Sequence, residues 1–118
     1  MNTCLRGVLV AISIPIFTTQ LEKAREATDL ANLRAAYAEG TAAYLDDDTY
    51  TGGWYDIGTG TITSTFKAAG KGTATTGSSN NDVTIGGFEY KPNTSYAGQG
   101  IKVTAGTSGV TVAFSENK

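Results

Sequence analysis

Histidine is absent from this 118-residue chain, and cysteine occurs once, at Cys4. Without a second thiol no internal disulfide can close, and without imidazole or paired thiolates the common transition-metal ligand sets cannot be assembled. Nucleophilic catalysis lacks its ordinary base. Asp56, Glu89 and Glu116 are acids that a fold would have to gather, and nothing in their spacing does so. No enzyme and no cofactor is expected. A basic excess is missing too: nine Lys and Arg against eleven Asp and Glu leave a formal charge of −2. Phosphate binding needs a clustered positive surface, so nucleic acid is not expected as the main ligand. Proline occurs only twice, and the first of the two stands where it matters most.

That proline interrupts an apolar run, Val8-Leu9-Val10-Ala11-Ile12-Ser13-Ile14-Pro15-Ile16-Phe17. The run flows into an alanine-rich stretch without glycine until Gly40. One helix from Val8 to about Leu45, kinked at Pro15, is the simplest continuation. Its length would be about 57 Å, whereas a compact chain of this size is roughly 35 Å across. The apolar end must project, into lipid or among copies of the same chain. As a membrane span the run is short, since about 20 apolar residues are needed. Arg6 before an apolar stretch has the shape of a secretory signal, but no small-x-small cleavage pattern follows at Phe17-Thr18-Thr19-Gln20. A partly anchored helix, or a chain whose beginning is missing, is expected.

From Leu21 to Leu45 the helix sorts into stripes. Leu30, Leu33, Tyr37 and Tyr44 form one, suited to covering a sheet. Ala24, Ala27, Ala31, Ala35, Ala38 and Ala42 form a neighbouring one that would let another helix approach closely. Glu22, Arg25, Asp29, Asn32 and Glu39 fall on the opposite, solvated face; Glu22, Arg25 and Asp29 are the charges that would pair between subunits. Asp46-Asp47-Asp48 opposes the helix dipole and ends the helix. Consecutive carboxylates do not converge on one centre, and the alternating ligand spacing of a calcium loop is missing, so no metal site is expected there.

The rest of the chain is rich in Thr, Gly, Ser and Asn. Residues 46–82 read as a glycine-rich loop ending in Gly77-Ser78-Ser79-Asn80-Asn81, with one strand, Gly60 to Lys67, inside it. Trp54 and Tyr55 beside Gly52-Gly53 read as a cap on a small core, or else as a surface-recognition pair. Asp82 to Lys91, with a bulge or tight bend at Gly86-Gly87, Gly100 to Ala105, and Val110 to Ser115 are the better strands. The last two are joined by the four-residue connection Gly106-Thr107-Ser108-Gly109. Short loops make the strands antiparallel. The expected fold class is α+β: a long kinked N-terminal helix packed on a small antiparallel β-sheet. Residues 1–20 are the hydrophobic half of the helix. Residues 21–118 form a globular domain of amphipathic helix 21–45, loop 46–82 and sheet 83–118.

A helix apolar in its first half and amphipathic in its second, then a glycine-rich loop and an antiparallel sheet, resembles the type IV pilins and pseudopilins. The residues that carry the resemblance are Gly7 to Phe17, with glycine eight positions before the helix proline, and the continuation Leu21 to Tyr37, which is similar to pilins of Gram-positive bacteria. About the first third of the chain bears on it. The family's glycine–phenylalanine processing site and the glutamate shortly after it are not present, and Met1 to Arg6 stands where apolar helix is expected. A truncated or misassigned start, or a divergent gene product, is the expectation.

The resemblance implies a structural subunit of a surface filament, held in the membrane before assembly and delivered by pilus assembly machinery into a helical homo-oligomer. Val8, Leu9, Val10, Ile12, Ile14, Pro15, Ile16 and Phe17 would then pack in the membrane or the filament core. The alternatives are a pseudopilin of a type II secretion or competence machine, and a membrane-tethered surface-binding module. Motility, adhesion, DNA uptake and secretion are equally compatible with the sequence.

Overall fold

The computed structural model describes the backbone of residues 3–73, 82–92 and 94–117 and, from Leu21 onward, their side chains. The side chains of Val8 to Phe17, and Gly77-Ser78-Ser79-Asn80-Asn81, therefore lie outside the described residues.

The first element is one helix, α1 (Thr3–Asp46), whose hydrogen-bonded pattern runs through Pro15. It begins before Val8 because Thr3-Cys4-Leu5-Arg6 contains no helix breaker. It stops where Asp47 turns back on its own backbone. The Asp47 Oδ1 accepts the Thr49 amide at 3.0 Å and the Thr49 hydroxyl at 2.6 Å, an Asx turn that competes with another helical turn. Those two donors, the hydroxyl first, hold the Asp47 carboxyl below its usual range. A straight helix of this length measures about 66 Å, and the molecule is 65 Å long against 26 and 24 Å across. The helix is more than twice as long as the fold is wide.

Six strands follow: β1 (Gly52–Asp56), β2 (Thr61–Thr63), β3 (Val83–Ile85), β4 (Phe88–Tyr90), β5 (Gly100–Gly106) and β6 (Gly109–Ser115). Four make an antiparallel sheet in the order β2-β1-β5-β6, and β3 with β4 makes a separate hairpin. The α+β class thus agrees with the sequence, while several local expectations do not. Gly52–Asp56, read as loop, is an inner strand paired on both sides, with Tyr55 opposite Ile62 and Ile101. Two glycines and an aspartate give it little β propensity of its own; long-range pairing makes it a strand. The strand expected over Gly60 to Lys67 shrinks to β2, because the Thr63 hydroxyl bonds the Thr65 carbonyl at 2.9 Å and the chain turns away. Gly106 pairs with Gly109, so the β5–β6 turn is the two residues Thr107-Ser108 rather than four. At Gly86-Gly87 the bend is a two-residue hairpin turn with φ of +55° and +84°. Paired left-handed residues match the twist of the flanking strands, and glycine adopts them without strain.

Inward-facing Tyr55, Ile101, Val103, Val112 and Phe114 form the floor on which Leu33 and Ala36 of the helix are buried. Tyr96 stacks on Phe114 at 4.9 Å and Tyr90 lies 4.7 Å from Tyr96, closing one end of this core with aromatic rings. Residues 68–73 form a strap alongside residues 95–100. Ala68 bridges Gly100 and Thr73 bridges Ser95. The Ala69 and Gly70 amides donate to the Gln99 carbonyl at 2.7 and 2.8 Å, and the Tyr96 amide donates to the Gly72 carbonyl at 2.9 Å. The strap carries its next amides across to the helix.

Candidate functional site

The helix has two faces of different chemistry, and both keep a heptad rhythm. The inner one is Glu22, Glu26, Asp29, Leu33, Ala36 and Gly40, at alternating steps of four and three, and every one of them is buried. Its first half consists of carboxylates. Glu22, Glu26 and Asp29 are 0% exposed, which corrects the expectation that Glu22 and Asp29 lie on a solvated face.

For Glu22 and Asp29 that burial is offset by donors from the strap and from Tyr90. Asp29 Oδ1 accepts the Lys71 amide at 2.8 Å, and its Oδ2 accepts the Gly72 amide and the Tyr90 hydroxyl, each at 2.8 Å. Glu22 accepts the Thr73 amide at 3.0 Å and the Thr73 hydroxyl at 2.7 Å. Arg25, partly exposed, brings Nη1 to 3.5 Å from Glu22 Oε1. A buried carboxylate without such donors would be costly, and charge-assisted bonds to amides are among the stronger ones. Glu22 and Asp29 are thus engaged within the chain, and of the three charges assigned to pairing between subunits only Arg25 keeps solvent access. The donors Lys71, Gly72, Thr73 and Tyr90 were not singled out in the sequence. The four-and-three spacing of the inner face was the signal available, obscured because acids are normally read as solvent-facing.

Burial and donors pull the two acids in opposite directions. For Asp29 burial outweighs its three donors and raises the carboxyl above its ordinary 3.8, with the Glu22 charge adding to it. At Glu22 burial also pushes upward, but the Thr73 donors, Glu26 and Arg25 outweigh it and hold the carboxyl below its ordinary 4.5. The Tyr90 hydroxyl is pushed far up, by burial first and then by Asp29, and stays protonated as a donor. A raised acid contributes stability below its unfolded value and loses it as pH rises through the folded one; a depressed acid contributes above its unfolded value and loses it as pH falls. Stability is therefore expected to peak on the mildly acidic side, where Asp29 has begun to take up its proton and Glu22 has not. Thermal melting across about pH 3 to 8 tests this. An Asp29→Asn variant should lose the decline on the neutral side, and an unchanged profile in that variant would refute the assignment.

The outer face is Leu21, Ala24, Thr28, Ala31, Ala35, Ala38, Ala42 and Leu45, at alternating steps of three and four, and all eight are exposed. It contains no charge, and Leu45 is 81% exposed. The alanine stripe expected from the sequence is thus open, while the Leu/Tyr stripe covers the sheet only in part. Leu33 is fully buried and Leu30 partly, but Tyr37 remains 39% exposed. In the sequence the outer spacing continues upstream through Phe17, Ile14, Val10 and Gly7.

The other candidates do not converge. Tyr55 faces the core, whereas Trp54 lies on the far side of the sheet, edge-on to Phe66 at 4.8 Å with Lys102 Nζ 5.9 Å from its ring. Neighbours on a strand point to opposite faces, so the two rings form no pair. Asp56 Oδ1 accepts the Gly58 amide at 2.8 Å, and Glu89 pairs with Lys91 at 3.3 Å. Among the described residues no group of three acids or other ligating side chains could hold a metal ion, and no helix is long and apolar enough to cross a membrane. No protein-family model, curated protein or solved structure matches the chain.

Proposed function

We propose that this chain is a structural subunit of a type IV pilus-like surface filament, assembled by packing helix against helix. The observation that carries the proposal is the mismatch between a 65 Å molecule built on one helix and a sheet that covers one stripe of it, leaving an uncharged face open. Large contiguous apolar patches are uncommon on soluble monomers and mark surfaces of association. In this role Val8 to Phe17 supply apolar packing, held in the membrane before assembly, and Pro15 is the position at which the rod would bend in the filament. The sheet and strap form the outer surface of a filament at the cell surface.

The experiment is to purify the full chain in detergent, remove the detergent and image the product by cryo-electron microscopy. Helical assemblies with an axial core of parallel helices are expected. A stable, dispersed monomer in detergent-free buffer would overturn the proposal.

A further inference from the structure

We draw no further inference here: the strongest candidate, the partly exposed Trp54–Phe66 patch on the outer face of the sheet, has Lys102 of the same chain over its Trp54 ring, and nothing in the structure shows what ligand or partner would take its place.

Discussion

Asp29→Ala is expected to lower the stability of the fold by about 4 kcal/mol, because it strands three donors at once, two of them buried. The Lys71 and Gly72 amides and the Tyr90 hydroxyl all end on this carboxylate at 2.8 Å. Alanine returns none of these acceptors, and the vacated space is too enclosed for bulk water to serve each donor. A small domain has about 5–15 kcal/mol in total, so the variant would be marginal. Asp29→Asn should recover no more than half the loss: its oxygen can replace one carboxylate oxygen, but its amide then points a donor at a donor. Urea unfolding of both variants measures the cost, and amide exchange at residues 71 and 72 localises it. A loss below about 1 kcal/mol, the value of an ordinary single hydrogen bond, would mean that the strap is held by its pairing with residues 95–100 and not by the helix.

The second large effect is expected at the other end of the same stripe. At Gly40 the helix lies close against the sheet: a Cβ built there would lie 2.6 Å from Val103 Cγ1 and 3.1 Å from Val110 Cγ1. Val103 is 1% exposed and locked between its neighbours, so it cannot move aside freely. Gly40→Leu must therefore lift the helix from β5 and β6, at a cost of about 3 kcal/mol through overpacking and lost contact. Gly40→Ala should cost less, since alanine's better helix propensity returns close to 1 kcal/mol. Thermal melting of the two variants gives the comparison; equal stability of Gly40→Leu and the parent would show that the helix and sheet are not in close contact there. Residues 29 and 40 are about 16 Å apart along the helix, so the losses of Asp29→Ala and Gly40→Leu should add.

Legibility in the sequence followed the range of the forces involved. The helix was readable because its apolar run and alanine-rich continuation are local, as was the β5–β6 hairpin from its strict alternation. β1 was not, since Gly52 and Gly53 disguise a strand that exists through pairing with Ile101 and Val103. The open alanine face was visible as a stripe, but its uninterrupted extent from Leu21 to Leu45 required knowing which face the sheet had taken.

By itself, then, the amino-acid order determined a rod longer than its own fold, the heptad rhythm on that rod and the antiparallel class of what packs against it, since these follow from side-chain period and backbone preference over a few neighbouring residues. Which face of the rod turned inward was decided only in three dimensions. The donors that let Glu22 and Asp29 go under cover come from positions 42, 43, 51 and 61 residues away. Carboxylates belong in water until such partners arrive, and only the folded chain brings them.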